Sequence, residues 1–134
     1  MNRTEAAKLL ALIKVAYPST YRDMDDRTKM ATVTMWQSTF PNVPYAVMEM
    51  AFDHFRRVSK FAPTIADMYD ELKGLHYRAL EDVMNTDDEK VREIAKRIMQ
   101  YTDQYKYGDD GAYSIASHLP KLQMLPERID DNGG

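Results

Sequence analysis

Apolar residues recur at three- and four-residue steps through most of this chain, which is the spacing of one face of a helix. Leu9, Leu10, Ile13 and Tyr17 form the first such stripe, with Thr4 as its expected N-cap and Pro18 as its stop. Residues 19–25 read as a loop. A second helix is expected from Asp25 or Asp26, with Met30, Val33, Trp36 and Phe40 on one stripe and Pro41-Asn42 ending it. Pro44 suits the first turn of a third helix, where Val47, Met50, Ala51, His54, Phe55 and Val58 keep the helical period. Pro63 forces Ala62 out of helical geometry, so 59–63 is a connector.

Thr64-Ile65-Ala66-Asp67 then resembles a capping box, with Asp67 as a short stand-in for the usual Glu. Its helix carries Ile65, Met68, Leu72 and Leu75, and either bends near Gly74 or continues to Met84. Thr86-Asp87-Asp88-Glu89 predicts a second capping box. Val91, Ile94, Ala95, Ile98, Tyr101 and Tyr105 share one side of the fifth helix. A short helix is expected over 112–118 and an extended tail after Pro120. No segment alternates with a period of two, and no internal repeat is visible. The fold class is therefore all-α: a small bundle of four to five helices with a less regular C-terminal tail. The expected division is a compact helical domain over 1–75, then a C-terminal helix and flexible partner-binding tail over 76–134.

Composition narrows the function. Apolar residues make up 44% and charged residues 29% of 134, ordinary for one globular domain. There is no Cys, so no disulfide framework is possible, stability rests on packing, and a cytosolic protein is expected. No apolar run approaches the ~20 residues needed to cross a bilayer. The net charge of −3 gives no electrostatic reason for non-specific DNA binding. All of it lies past residue 101. Lys106, Lys121 and Arg128 face Asp103, Asp109, Asp110, Glu127, Asp130 and Asp131 there, leaving 15 residues of each sign in 1–101. An acidic tail on a neutral body suits protein binding better than DNA clamping.

Catalytic signals are nearly absent. The His residues, at 54, 76 and 118, have no metal-ligand spacing, and the five Gly form no phosphate loop. His54 reads as a satisfied, partly buried side chain. The pairs Asp25-Asp26 and Asp87-Asp88 fit helix capping better than a metal-assisted hydrolase. No enzyme, metal site or cofactor is implied. Trp36, the sole tryptophan, reads as core. Arg56, Arg57 and Lys60 form a basic cluster where a helical DNA-binding replication or regulatory module would touch DNA. The candidates for partner binding lie near the C-terminus: Tyr105, Tyr107, Tyr113, Ile115, Leu119, Leu122, Met124, Leu125 and Ile129. A solvated linker has no need of these apolar groups. Either they pack back on the bundle or they await a partner.

The first 75 or so residues resemble the phage-encoded loaders and inhibitors of replicative DnaB-type helicases. The resemblance rests on the opening helix from Thr4-Glu5 to Tyr17-Pro18, then Trp36, then Tyr45-Ala46-Val47 leading to Met50-Ala51 and His54. Its most specific part is Lys60-Phe61-Ala62-Pro63-Thr64-Ile65-Ala66-Asp67-Met68, similar to a Phe-Pro-Pro-Thr-Ile-Ala run before an acidic residue. Here Ala62 replaces the first Pro. The resemblance implies a helical N-terminal region and a more flexible C-terminal part that engages the hexameric helicase. It also implies inhibition of that helicase and its delivery to origin DNA with a phage initiator protein. DNA would be met only indirectly and a membrane not at all.

Overall fold

Local signals set the helix ends. Asn2 caps α1 (Arg3–Ala16), accepting from the Glu5 amide while the Glu5 carboxylate accepts from the Asn2 amide. This is a full capping box, and it sits two residues before the Thr4 expected from sequence. Asp25 caps α2 (Asp26–Thr39) through the Thr28 amide at 2.7 Å. Pro44 stands at the cap position of α3 (Tyr45–Val58) with no side-chain bond. Thr64 and Asp67 form the reciprocal box that opens α4 (Ile65–Asn85). Asp88, not Thr86, caps α5 (Glu89–Thr102), accepting from the Lys90 and Val91 amides. Thr86 instead closes α4 and accepts from the Asp88 amide. A 3₁₀ turn, Asp103–Tyr105, follows α5, and one helical turn, α6 (Leu119–Leu122), lies further on.

The structure is a computed structural model and describes residues 1–107 and 119–126. The expected helix over 112–118 falls outside that range. Pro120 lies inside α6, so one helical turn replaces the extended chain expected there. Among the described residues every regular element is helical, and no helix is long and apolar enough to cross a membrane.

α1 packs on both α2 and α3, α3 packs on α4, and α4 packs on α5. The three-residue link 86–88 turns α5 back along α4. Late α5 therefore meets mid-α4: Nδ1 of His76 lies 3.0 Å from Thr102 Oγ1, and Tyr77 donates its hydroxyl proton to the Lys106 carbonyl. α4 runs through Gly74 and Leu75 without a break. The core joins Leu9 and Ile13 of α1, Trp36 and Phe40 at the end of α2, Met48 and Phe52 of α3, and Met68 and Leu72 of α4.

An aromatic cluster closes this core. Phe40 lies 5.4 Å from Tyr69 and 6.1 Å from Tyr105, and Tyr69 lies 5.6 Å from Tyr105. These are ordinary separations for attractive ring pairs. The end of α2 is also tied to α1. The Met1 ammonium donates to the carbonyls of Phe40, Pro41 and Val43, the last at 2.6 Å. Carbonyls at a helix C-terminus lack intrahelical partners and carry partial negative charge, which a cation satisfies.

Several helix faces differ from the sequence expectation. Met30 is exposed and Val33 half-buried, so Trp36 is the one fully buried residue of α2. On α3 the buried set is Val47, Met48, Ala51, Phe52 and Phe55. Met50, His54 and Val58 lie off that set, and His54 is exposed rather than partly buried. Its Nδ1 meets the Glu71 carboxylate at 2.8 Å, joining α3 to α4 at the surface. On α5, Ala95 is buried, whereas Val91, Ile94 and Tyr101 are exposed. Among the described residues α5 packs mainly on α4, too little to cover a stripe that wide.

Candidate partner-binding surface

The apolar residues singled out near the C-terminus divide into two groups. Tyr105 is only 2% exposed and belongs to the aromatic core. Its hydroxyl is pushed well above the ordinary tyrosine range, first by burial and then by Tyr69. Tyr107, two residues on, is exposed, with Lys106 Nζ 5.4 Å over its ring. Leu119, Leu122, Met124 and Leu125 are also exposed, Met124 to 85%. Their backbone is turned by bonds from the Gln123 amide to the Leu119 carbonyl and from the Leu125 amide to the Leu122 carbonyl. Tyr113, Ile115 and Ile129 lie outside the described residues.

The basic cluster is partly neutralised. Asp53 accepts from Arg56 Nη2 at 2.6 Å and from Arg57 Nε at 3.2 Å, one helical turn along the same face of α3. These bonds, that of Arg56 foremost, hold the Asp53 carboxyl below the usual carboxylate range. Lys60 is exposed on the connector after α3.

Two further surfaces lie outside the residues expected to bind a partner. The first is the α5 stripe of Val91, Ile94 and Tyr101, beside the half-buried Ile98. Its alternating three- and four-residue spacing is the seam pattern of paired helices, and it was legible in the sequence. The second is an open groove of about 610 Å³ between α1 and α3, floored by Leu12, Val15, Ala16, Met50 and Phe52 and edged by Arg56. It joins residues 30 or more positions apart, so no local pattern announces it.

Little in this arrangement suits bond-breaking chemistry. His76 is buried, and its Nδ1 faces Thr102, whose hydroxyl donates to the Ile98 carbonyl at 2.7 Å. That hydroxyl has one proton, already given to Ile98, so His76 Nδ1 carries the hydrogen between them. This is a satisfied structural pair joining α4 to α5. Among the described residues no three His, Asp or Glu side chains are grouped to hold a metal ion.

No curated protein and no solved structure matches the chain. A family model does. It describes the N-terminal domain of a phage helicase loader and inhibitor, and it matches residues 1–69, about half of the 134. The match runs from the first residues of α1 past the capping box of α4, covering the α1–α3 bundle and the connector that sequence reading found most specific. Family proteins of this kind are generally non-catalytic and interact with a DnaB-type helicase. On this match the chain belongs to the phage helicase loader and inhibitor family of DNA replication proteins.

Proposed function

We propose that this protein acts by stoichiometric binding. It grips the hexameric replicative helicase, holds it in a state that does not unwind DNA, and delivers it to the phage origin with the initiator protein. The host cytoplasm is where these partners meet. A loader needs no active site of its own, because the helicase hydrolyses the ATP. Inhibition requires only that the loader bind an unproductive helicase conformation more tightly than a productive one.

The observation that carries this reading, beside the family match, is the segment 119–126. There Leu119, Leu122, Met124 and Leu125 are exposed together. A soluble chain gains nothing by presenting this much apolar surface unless a partner covers it. The grip is assigned to these four with Tyr107, Tyr113, Ile115 and Ile129, while Tyr105 anchors the segment to the bundle. Ordering such a segment on binding costs ~2–5 kcal/mol of the gross interaction, which keeps the complex releasable.

The test is co-purification of the full chain with a purified DnaB-type hexamer, followed by helicase ATPase and unwinding assays. A stable complex with suppressed unwinding is expected. Leu122→Asp with Leu125→Asp should weaken the complex by at least about tenfold and leave the circular-dichroism melt unchanged. Failure of the wild-type chain to bind the hexamer at micromolar concentration overturns the proposal. Undiminished binding by the double variant removes the assigned contact.

DNA contact through Arg56, Arg57 and Lys60 is the weaker reading, because Asp53 engages both arginines.

A further inference from the structure

α5 is apolar on two adjoining edges, and α4 covers only one of them. Ala95 and Thr102, seven residues apart, are the buried residues of α5, and Thr102 meets His76 of α4. Val91, Ile94, Ile98 and Tyr101 follow one another at steps of three, four and three residues within the same unbroken helix. Helix geometry sets these four side by side as one ridge, roughly 15 Å long and about 80° wide. Ile98 rests half-buried against the core, while Ile94 is 56% and Tyr101 45% exposed. The ridge is therefore rooted in the bundle and open to water.

Such a spacing is the seam along which one helix packs on another, and the positions flanking the seam set the choice of partner. On α5 one flank is Ala95 and Thr102, closed off by α4. The open flank is Lys90 and Arg97, again seven residues apart. Both are exposed, and among the described residues neither forms an ion pair. Glu93 lies further round the helix, off the seam. Asp103, just past the ridge, is engaged by Lys106. α5 holds four basic and two acidic residues, so the field around the ridge is positive.

We infer that this ridge is the docking seam for an amphipathic helix of the helicase, one with apolar residues at matching spacing and carboxylates opposite Lys90 and Arg97. The inference rests on the function proposed above. Charge and geometry select the occupant. A second copy laid antiparallel would set Lys90 and Arg97 against the same two residues of its twin, like charge on like. Laid parallel, it would need the flank that α4 already fills. The chain's own turn Leu119–Leu122 is shorter than the ridge, and its sequence, Leu-Pro-Lys-Leu, has no carboxylate. A nucleic-acid backbone needs several free cations on one face. Here Arg92 is paired with Glu89, and Lys96 lies across the helix beside His76 and Val83. Tyr101 stands six positions before Tyr107, the first residue of the grip assigned above, so one partner meets both surfaces.

The test measures the affinity of the full-length protein for the purified helicase hexamer. Sedimentation of the protein alone and binding to fluorescent oligo-dT run in parallel. Ile94→Glu should weaken helicase binding by about 10- to 30-fold, and Ile94→Leu should retain it. Lys90→Glu with Arg97→Glu should weaken it by about tenfold at low salt and by less at high salt, whereas Lys96→Glu, off the seam, should stay within about twofold. Melting temperatures should match the wild type, because all of these side chains are exposed. If the wild-type chain does not bind the hexamer, the proposed function falls and this inference with it. If the wild type binds and Ile94→Glu binds within about twofold of it, the inference alone is overturned. An equal loss from Lys96→Glu and from the Lys90–Arg97 pair also overturns it, since net charge and not the seam would then be at work. A wild-type dimer that Ile94→Glu dissociates, or oligo-dT binding that Ile94→Glu abolishes with helicase affinity unchanged, overturns it and gives the ridge to a second copy or to nucleic acid.

Discussion

Replacing Tyr105 by Ala tests whether the chain beyond α5 is truly part of the bundle. Tyr105 reaches the core from the far end of the α4–α5 hairpin and touches Phe40 and Tyr69. Burying a tyrosine removes roughly 150–250 Å² from water, worth about 4–6 kcal/mol at about 25 cal/mol per Å². That is an upper bound, because an unfolded chain already hides part of the area. Aromatic-to-Ala changes in cores cost about 3–5 kcal/mol, so a loss of about 3–4 kcal/mol is expected. In urea denaturation followed by circular dichroism, the midpoint should fall by more than about 1 M at unchanged slope. The melting temperature should fall by about 10–15 °C. A midpoint within about 0.3 M of wild type would refute the reasoning, because the aromatic cluster would then contribute nothing in solution. The hydroxyl supplies a second readout. Burial raises its pKa above the ordinary 10.0, so its stabilising share is complete below pH 10.0 and is lost as the pH climbs from there toward the folded-state value. Tyr105→Phe should flatten that alkaline loss, while Tyr21 and Tyr45, also raised by burial, keep their own shares.

Other perturbations probe single contacts. Thr102→Val keeps the shape but leaves the buried His76 Nδ1–H without an acceptor. A loss of about 1–3 kcal/mol is expected in denaturant titration, with a shifted His76 ring resonance. Thr64→Ala removes half of the α4 capping box and should cost about 1 kcal/mol by thermal melting. Gly74→Ala should stabilise by up to about 1 kcal/mol, since the new methyl meets only the flexible end of Arg78 at 3.0 Å inside a continuous helix. An unchanged or lower melting temperature would show that Arg78 cannot yield. Asp25 caps α2 and its carboxyl is held below the ordinary 3.8 by the Thr28 bond. Its contribution is present above that value and lost as pH falls through the lowered one, a loss that Asp25→Asn should reduce in acid titration.

Much of the architecture was legible because its causes are local. A proline cannot continue a helix, and a short oxygen-bearing side chain satisfies free amides at a helix start. Pro18, Pro41 and Pro63 therefore bracket the helices, and Asp25 and the Thr64–Asp67 pair mark two starts correctly. Errors of two residues, Asn2 for Thr4 and Asp88 for Thr86, arose where two capping residues competed for the same turn. The family resemblance was legible for the same reason, since it rests on contiguous residues of the connector and the capping box.

Which apolar side chains are covered was decided only in three dimensions. Periodicity marks the apolar side of a helix, but neighbouring helices determine how much of that side is buried. Met30, Ile94 and Tyr105 all read as members of apolar stripes. α2 turns Met30 to solvent, α5 packs mainly on α4 among the described residues and leaves Ile94 bare, and the hairpin's return carries Tyr105 into a ring cluster with residues 36 and 65 positions away. Phe61 shows the converse, an aromatic residue that local hydrogen bonds hold outward. Helix limits follow from short-range bonding and steric exclusion that each segment carries in itself. Burial follows from chain closure over tens of residues, which no segment encodes alone.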